Sequence, residues 1–599
     1  MSRLARACAW LGLFFATQPA SATISYRISV AHPEEHNFRV TMIIPEARTG
    51  ATVQIPAWNA LYQIRDFAYR VQRVSASARP KGPGQPAWPL AVTKLDKQTW
   101  LIAPPAGESK ADVTLDYSIS WDEPGPFSTQ LNAHHAFINL AEILFYIPDR
   151  RGEDTRVEFL DVPNAWKVGV ELAAGGTPDA PNVFVAPSYD ALVDAPVELG
   201  AFDDWRFEAT GAHYRVIVDG ANWDRDRLDD ALRRIVAYET TLMGGAPFNE
   251  YTFFFHFGAE NEVGGGGMEH ANSTAIAAQS VGTAVTVAAH EFFHAWNVKR
   301  IRPQSLEPVD YTREQYTRAL WFAEGVTSTY ALYALVRSGL WSRHEFYGDL
   351  AADIAELDSR PARLWQSVEQ SSLDAWLEKY PFYRRPDVSI SYYNKGKILG
   401  VLLDLTIRNA ADDHASLDDV LRALNQQFAR RGLFYRDSLD LRAVSEQVCG
   451  CKLEDFFSRY IAGTDEIPYG DFLSLAGWKL RTDIRAFAAF GFWPGRGPGD
   501  STVATDVEPG SSAEAAGIRE GDVLLDLEGA SFPRDFFRWL RQHAAGDTVH
   551  LRLRQEGKER EVTFKLGRRE ERHYDIEEDD HATAKQRRIR DGLLHGKDD

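Results

Sequence analysis

The hydrophobic pattern of this 599-residue chain changes period twice, which points to a multidomain α+β protein. From residue 23 to about residue 225, apolar residues alternate with polar ones, as in strands that bury one face. The segment "ISYRISV" places Ile24, Tyr26, Ile28 and Val30 on one face, and "VTLDYSISW" does the same for Val113, Leu115, Tyr117, Ile119 and Trp121. We therefore predict an all-β N-terminal domain over residues 23–225.

The pattern becomes helical from about residue 226 to residue 475. The segment "WDRDRLDDALRRIVAYETTLMGG" predicts an amphipathic helix that ends at glycines, and "YTFFFHFG" predicts a strand. Two further helices are predicted from "TAVTVAAHEFFHAWNVK" and "KGKILGVLLDLTIRNA". The second is apolar nearly all round, so we expect it to be buried. This region is predicted to be a mostly helical domain.

A third, β-rich domain is predicted over residues 480–568. The segment "TVATDVEPGSSAEAAGIREGDVLLDLEG" is typical of a strand, a turn, a short helix and a second strand, and "DTVHLRLRQEGKEREVTFKL" predicts a hairpin that turns near Gly557. Residues 569–599 are dense in charge, which predicts a mobile tail.

The composition limits the partners of the chain. With 44% hydrophobic residues it can build cores, and its net charge of −19 disfavours nucleic acid, because an anionic surface repels phosphates. Residues 1–22, "MSRLARACAWLGLFFATQPASA", resemble an export signal with a small-x-small cleavage site. Their apolar run is shorter than the ~20 residues that span a bilayer. We predict a periplasmic or secreted protein that begins at Thr23 and has no stable membrane span.

The segment "AAHEFFHAWNVKRIRP", residues 288–303, contains His290, Glu291 and His294 in the spacing H-E-x-x-H. Two histidines four residues apart on a helix share a face, where both imidazoles reach one ion. The same spacing also occurs by chance in long helices, so a metal site needs a third ligand from elsewhere in the chain.

Glu324 lies in an apolar, aromatic segment, "LWFAEGVTSTYALY". A buried glutamate is costly unless it is paired or bound to a cation. One interpretation is a salt bridge with Lys299, Arg300 or Arg302. The presence of H-E-x-x-H favours the other interpretation, in which Glu324 is the third metal ligand.

These motifs together resemble a known family. H-E-x-x-H followed by a glutamate on a second helix resembles the gluzincin metallopeptidases, and "HEFFHAWNVKRIRP" with "LWFAEG" is similar specifically to the glycyl aminopeptidase family. The resemblance covers nearly the whole chain after residue 22. It implies a thermolysin-like zinc peptidase domain over 226–475 and a PDZ-like domain over 480–568. It also implies Zn²⁺ held by His290, His294 and Glu324, with Glu291 as the general base.

The segment "GGGGMEH", residues 264–270, resembles the G-x-M-E-N loop of gluzincin aminopeptidases. The resemblance implies that Gly266, Gly267 and Met268 run along the substrate backbone. It further implies that Glu269 binds the free α-amino group of the substrate. His270 stands where that loop has asparagine.

The segment "SYYNKGK" resembles the Y-x-K-G segment whose tyrosine stabilises the oxyanion. Alignment on Lys395-Gly396 selects Tyr393, with Tyr392 as the alternative. A phenol that donates to a developing negative charge is a physically reasonable catalytic group.

The sequence therefore favours an aminopeptidase that acts on peptide or protein substrates. The family resemblance implies glycine or alanine as the first residue. Two alternatives remain open: an endopeptidase with an open cleft, and a noncatalytic protein that binds peptides through its β and PDZ-like domains. The intact set of ligands and base disfavours the noncatalytic alternative.

Overall fold

A computed structural model describes residues 23–48, 50–79, 87–103, 110–533 and 535–596. The predicted export signal, residues 1–22, lies outside the described residues, so export stays a prediction. The chain divides into two compact units: the first takes its residues from 1–342, 364–466 and 588–599, and the second from 343–363 and 467–587. None of the described helices is long and apolar enough to cross a membrane.

The N-terminal part of the first unit is built from strands, as the sequence predicts. In chain order these are β1 (Ile24–Ser29), β2 (Asn37–Arg48), β3 (Ala51–Gln54), β4 (Val71–Arg79), β5 (Trp88–Leu90), β6 (Val92–Lys94), β7 (Thr99–Ile102), β8 (Lys110–Ser120), β9 (Gln130–Leu131), β10 (His135–Ile138), β11 (Thr155–Leu160), β12 (Lys167–Val170), β13 (Ala173–Ala174), β14 (Val183–Ala186) and β15 (Val197–Gly200).

These strands form three sheets. Eight of them are ordered β13-β14-β11-β1-β2-β8-β4-β5, four are ordered β12-β15-β10-β9, and three are ordered β3-β7-β6. Strand β1 runs parallel to β11 and antiparallel to β2. Both faces predicted from the alternation are buried in the core, from Ile24 to Val30 and from Val113 to Trp121. The all-β prediction is confirmed for this part of the chain.

A fourth sheet, of five strands, follows, with strands β16 (Asp203–Ala209), β17 (Ala212–Gly220), β18 (Glu250–Phe257), β19 (Gly266–Glu269) and β20 (Ser273–Ala278). Their order is β16-β17-β18-β20-β19, which leaves β19 at one edge. Strands β16 and β17, which the sequence assigns to the N-terminal domain, pair instead into the sheet that carries β18. The three sheets of the N-terminal region therefore end before the predicted domain boundary at residue 225. Alternation predicts that a strand has one buried face, but it does not predict which sheet the strand joins.

The helices are, in chain order, α1 (Leu140–Ile143), α2 (Tyr189–Val193), α3 (Arg225–Leu242), α4 (Glu260–Val263), α5 (Val281–Phe293), α6 (Thr327–Arg337), α7 (Arg343–Asp358), α8 (Val368–Leu373), α9 (Tyr392–Ala410), α10 (Leu417–Gln427), α11 (Asp437–Cys449), α12 (Glu454–Phe456), α13 (Tyr469–Ser474), α14 (Ser512–Ala515), α15 (Phe536–Leu540) and α16 (Ala584–His595). The helices predicted near α3, α5 and α9 are present, and α9 is buried on nearly every side. Each of the three begins at a capping side chain, respectively Asp224, Ser280 and Ser391, which accepts a backbone N–H of the first turn.

The two cysteines at the end of α11 are bonded to each other. Gly450, between Cys449 and Cys451, has a φ of 62°, a left-handed conformation that glycine adopts without a Cβ clash. The disulfide therefore closes a short loop at the C-terminal end of α11.

The second unit carries a C-terminal β domain, with strands β21 (Trp478–Ala489), β22 (Trp493–Arg496), β23 (Thr502–Thr505), β24 (Val523–Leu527), β25 (Ala530–Ser531), β26 (Thr548–Gln555), β27 (Lys558–Lys565) and β28 (Gly567–Glu578). One sheet is ordered β22-β23-β24-β26-β27, with β25 paired to β24. The predicted strand, short helix and strand are β23, α14 and β24, and the predicted hairpin of β26 and β27 turns at Gly557, whose φ is 80°.

The predicted mobile tail over residues 569–599 is wrong for its described residues. Strand β28 pairs antiparallel with β21 along its whole length, from Gly567 opposite Ala489 to Glu578 opposite Trp478. Helix α16 buries Ile589, Leu593 and Leu594. The prediction failed because composition reports the high charge of this segment but not its few buried apolar residues or its backbone pairing with β21.

Leu593→Ala tests how firmly α16 is held. Leu593 is 0% exposed, so we expect the substitution to lower the free energy of unfolding by about 2–5 kcal/mol. Leu439→Ala is the matched control, because Leu439 is 54% exposed and its loss is expected to cost less than about 0.5 kcal/mol. Urea unfolding followed by tryptophan fluorescence measures both. Equal midpoints for the two variants would contradict a docked α16.

Candidate active site

Helix α5 presents two imidazoles to one point. His290 lies in its last turn, and His294 caps the helix with φ −61° and ψ −19°, so the helical spacing continues through both residues. Their Nε2 atoms are 3.0 Å apart. Phe292 and Phe293 are fully buried and anchor the same turn in the core. The H-E-x-x-H spacing thus places both histidines on one face, as the sequence predicts.

Glu324 completes a triangle of donor atoms. It lies in a π-helical turn, Trp321–Val326, all of whose residues are buried. Its Oε2 atom is 3.4 Å from His290 Nε2 and 3.2 Å from His294 Nε2. Donors bound to one tetrahedral zinc at about 2.0–2.2 Å are about 3.3–3.5 Å apart, so the triangle has the size of a zinc site. A π-helical turn is frequently found at functional sites.

The salt-bridge interpretation of Glu324 is wrong, because the three nearby cations have other partners. Lys299 pairs with Asp194 at 2.8 Å, and Arg302 pairs with Glu307. Arg300 donates to the carbonyl oxygens of residues 271 and 295. Glu324 therefore faces the two imidazoles.

The outer nitrogen of each imidazole is also held. His294 Nδ1 lies 2.6 Å from the carbonyl oxygen of Asn297, so this nitrogen carries the hydrogen and leaves the Nε2 lone pair directed at the triangle. His290 Nδ1 lies 3.2 Å from Ser328 Oγ, whose hydroxyl donates to the Glu324 carbonyl. The Asn297 amide donates to the Phe322 carbonyl at 3.0 Å and so links the end of α5 to the turn that carries Glu324.

The charges around the triangle are strongly coupled. Burial alone would raise the pKa of Glu324, but the imidazoles outweigh burial and hold this pKa below its usual value. Burial opposes the charged form of His294, yet Glu324 raises the pKa of that imidazole to about 10. The same carboxylate that stabilises a proton here would stabilise a divalent cation.

Glu291 lies between the helix and the edge strand. Burial raises the pKa of its carboxyl to about 8, and the charges of Glu269 and Glu324 add to this increase. A Cβ atom added at Gly267 would lie only 2.5 Å from Oε1 of Glu291, so a side chain at this position would have to displace the Glu291 carboxylate. The carboxylate therefore packs directly against the backbone of the strand.

The loop predicted to bind substrate is the edge strand β19. Gly267 pairs with Ile276 of β20, and the other edge of β19 has no strand partner in its sheet. Residues 267 and 269 lie on the same face of β19 because side chains alternate along a strand. The Glu291 side chain of α5 packs against this face at Gly267. Met268 points the other way and is buried, and its carbonyl oxygen accepts a hydrogen bond from the Thr274 hydroxyl. His270 is also buried, with Nδ1 3.5 Å from Asp194.

Tyr393 is the member of the tyrosine pair that faces the donor triangle. Its ring centroid is 6.1 Å from that of His290, and the residue is 38% exposed. Tyr392 is only 2% exposed. The geometry therefore favours Tyr393 over the alternative that the sequence leaves open.

A glycine contact brings Tyr393 to this place. A Cβ atom at Gly325 would lie 2.5 Å from the Cα atom of Gly396, and one at Gly396 would lie 2.4 Å from the Trp321 carbonyl oxygen. Helix α9 can therefore approach the π-helical turn at backbone distance only because both residues are glycine. In the sequence, the two glycines of this contact are Gly325 in "AEGV" and Gly396 in the Y-x-K-G segment.

Tyr62 is a site residue that sequence reasoning missed. It comes from a loop of the N-terminal region, where its backbone has a φ of 47°. Burial raises the pKa of its phenol, and the charges of Glu324 and Glu269 raise it further. The phenol therefore lies near both carboxylates. An aromatic residue in the loop "WNALYQIRD" carries no pattern that predicts this position.

A cavity of about 300 Å³ opens beside Glu269. Asn59, Asp194, Lys299 and Tyr311 are among its lining residues. Two imidazoles and a carboxylate around one point, with a second carboxylate and a cavity beside them, are typical of a mononuclear metallohydrolase.

Comparison with known proteins agrees with this class. A family model described as M61 glycyl aminopeptidase matches residues 283–399, and a model described as the peptidase M61 N-terminal domain matches residues 25–201. Both matches are to models of the M61 glycyl aminopeptidase family. The first match contains the donor triangle, Glu291 and Tyr393, whereas Glu269 precedes it.

One solved structure shares the fold over nearly the whole chain. An aminopeptidase N family protein from Idiomarina loihiensis is 24% identical, with a TM-score of 0.83 over 96% of this chain and 100% of that chain. An M1 zinc metallopeptidase from Deinococcus radiodurans is 17% identical, with a TM-score of 0.45 over 74% of this chain and 94% of that chain. A sequence comparison with curated proteins found no match.

Gly267→Ala tests the packing of the base against the edge strand. The added methyl group would displace the Glu291 carboxylate, and a displacement near 1 Å can lower kcat/KM by about 10²-fold. Gly265→Ala is the control, since a Cβ there meets only Gln279 at 3.8 Å. Hydrolysis of a short peptide measures the effect. Similar activity of both variants would show that Glu291 is not constrained by residue 267.

Proposed function

We propose that this protein is a zinc-dependent aminopeptidase that hydrolyses the first peptide bond of peptides or proteins. The observation that carries the proposal is the donor triangle of His290, His294 and Glu324, with Glu291 beside it and Glu269 on the adjoining edge strand. The match of residues 283–399 to a peptidase family model supports the reaction type.

The donor set fits zinc. Two imidazole nitrogens and one carboxylate oxygen are a common catalytic set for this ion, and they leave one position open. Zinc bound there would polarise the scissile carbonyl and lower the pKa of water in the open position. His290 and His294 would hold the ion through Nε2, because their Nδ1 atoms are engaged with Ser328 and with the Asn297 carbonyl.

Glu291 is the proposed general base. It is not one of the three donors, and its raised pKa makes its carboxylate a stronger proton acceptor. In this mechanism Glu291 accepts the proton of the attacking water and then transfers it to the leaving amine. Tyr393 donates its phenolic hydrogen to the developing oxyanion, a contribution of about 3–4 kcal/mol in comparable sites.

Strand β19 is proposed to bind the backbone of the substrate. An extended peptide can add to its open edge through backbone hydrogen bonds, and the glycines allow a close approach. Glu269 would then bind the protonated α-amine of the first residue. The preference for a small first residue, glycine or alanine, rests on the description of the matching family.

We also infer that the C-terminal β domain is a PDZ-like module that binds peptide strands. The order of β23, α14 and β24 supports this inference. An exposed aromatic pair also supports it. Trp493 of the edge strand β22 and Phe537 of α15 have ring centroids 5.5 Å apart. A purely structural role for the domain is the alternative.

Removal of the base tests the mechanism. Glu291→Gln keeps the shape of the side chain and the three proposed ligands, so we expect it to bind as much zinc as the wild type and to lose peptide hydrolysis by at least about 10²-fold. His294→Gln is the companion variant and should lose one equivalent of zinc together with activity. Elemental analysis and initial rates measure both. Full activity in Glu291→Gln would overturn the general-base assignment.

A free amino terminus should be required. Acetylation of a glycyl or alanyl peptide removes the charge that Glu269 binds, and a charged hydrogen bond is worth about 1.5–3 kcal/mol, or about one to two decades in kcat/KM. Glu269→Gln should cause a similar loss for free peptides while the zinc content stays unchanged. Glu260→Gln, on the exposed helix α4, is the control.

The same assay separates the alternative functions. Equal cleavage of free and acetylated peptides at internal bonds would support an endopeptidase. Absence of hydrolysis of every peptide, with zinc bound, would support a noncatalytic peptide-binding protein. Comparison of glycyl, alanyl and phenylalanyl substrates measures the preference for the first residue.

A further inference from the structure

A second cluster of two histidines and a glutamate lies outside the proposed active site. It consists of His135 on β10, Glu198 on β15 and His256 on β18, all of them buried. Glu198 Oε1 is 3.0 Å from His135 Nδ1, and its Oε2 is 2.9 Å from His256 Nε2. Among the described residues, only this cluster and the donor triangle bring three such ligand atoms within 4.8 Å of one another.

A fourth oxygen lies next to the cluster. Asp219 of β17 is opposite His256 in the parallel pairing of β17 with β18, and its Oδ2 atom is 3.7 Å from His135 Nδ1. Gly200 leaves the space in which the side chains meet, because a Cβ there would lie 3.2 Å from His135 Cβ and 3.3 Å from Glu198 Oε1. Two imidazoles and the Glu198 carboxylate bring ligand atoms within 4.8 Å of one another, and the Asp219 carboxylate lies 3.7 Å from one of these imidazoles.

The surroundings of the cluster resemble those of a ligand site. His135 Nε2 is 3.1 Å from Gln130 Oε1, an outer contact of the kind that orients a metal-binding imidazole. Phe137 packs against His256, with ring centroids 4.8 Å apart. A cavity of about 890 Å³, lined in part by His135, His256 and Asp219, gives solvent and ions access to the cluster.

The local field favours positive charge. Carboxylate oxygens of Glu198 and Asp219 lie 3.0 Å and 3.7 Å from His135 Nδ1. The carboxylates that stabilise a proton at this point would also stabilise a divalent cation in its place. Uptake of the cation would release protons from the imidazoles, because the ligating form is neutral.

We propose that His135, Glu198, His256 and Asp219 form a second zinc site, separate from the active site. Imidazole and carboxylate donors suit zinc, and a set of four protein ligands is typical of a structural ion. Strands β10 and β15 belong to the four-stranded sheet, whereas β17 and β18 belong to the five-stranded sheet. The bound ion would therefore tie the N-terminal β region to the sheet that leads into the active-site strand and helix.

Zinc stoichiometry tests the second site without reference to activity. After exposure to zinc and dialysis, wild type should contain about two zinc ions per chain. His294→Gln and His256→Gln should each contain about one, and the double variant close to none. Glutamine at residue 256 can still donate a hydrogen bond to Glu198 but is a poor zinc ligand. His134→Gln is the matched control, since His134 is exposed at the same cavity, and it should keep two ions.

A titration covers the case in which His256→Gln does not fold. Zinc added to chelator-treated His294→Gln should bind saturably at one site and raise the unfolding temperature by several degrees. One zinc ion in wild type together with no binding to His294→Gln would overturn the proposal. The cluster would then be a hydrogen-bonded ion pair that joins the two sheets without a metal.

Discussion

The contact between Gly325 and Gly396 is the constraint on which the site depends. At this point α9 and the π-helical turn approach so closely that a Cβ atom on either glycine would overlap backbone atoms of the other segment. Glu324 immediately precedes one glycine, and Tyr393 lies one helical turn before the other. Both side chains lie beside His290 because these two backbones meet. A larger residue at either glycine would force the two segments apart.

A second theme is the excess of negative charge in a buried place. Glu269, Glu291 and Glu324 lie around two imidazoles, and burial opposes the ionisation of Glu291 and Glu324. Such a site is compatible with a stable fold when cations enter it. A divalent metal at Glu324 and a protonated amine at Glu269 would supply that charge. The excess of carboxylates therefore agrees with the proposed metal and substrate. The cluster at Glu198 follows the same principle, because it too gathers carboxylates around imidazoles.

Much of the chemistry was predictable from short motifs. The spacing of His290 and His294 specifies a common face because the helical repeat is local. The segment of β19 was recognisable because glycines next to Met268 and Glu269 form an uninterrupted pattern. By contrast, the charged C-terminal segment was assigned wrongly, since the pairing of β28 with β21 joins residues about ninety positions apart and leaves no local trace.

The sequence by itself predicted the alternating strands of the N-terminal region, helices α3, α5 and α9, and the identity of the proposed ligands and base, because periodicity, capping and motif spacing act within a few residues. Only the tertiary structure decided that Glu324 faces imidazoles rather than Lys299, that Tyr393 rather than Tyr392 faces them, and that Tyr62 enters the site from the N-terminal region. It also decided that β16 and β17 belong with β18, and that His135, Glu198 and His256 meet. Each of these outcomes depends on contacts between segments distant in the chain, and burial and packing between such segments are properties that no local pattern encodes.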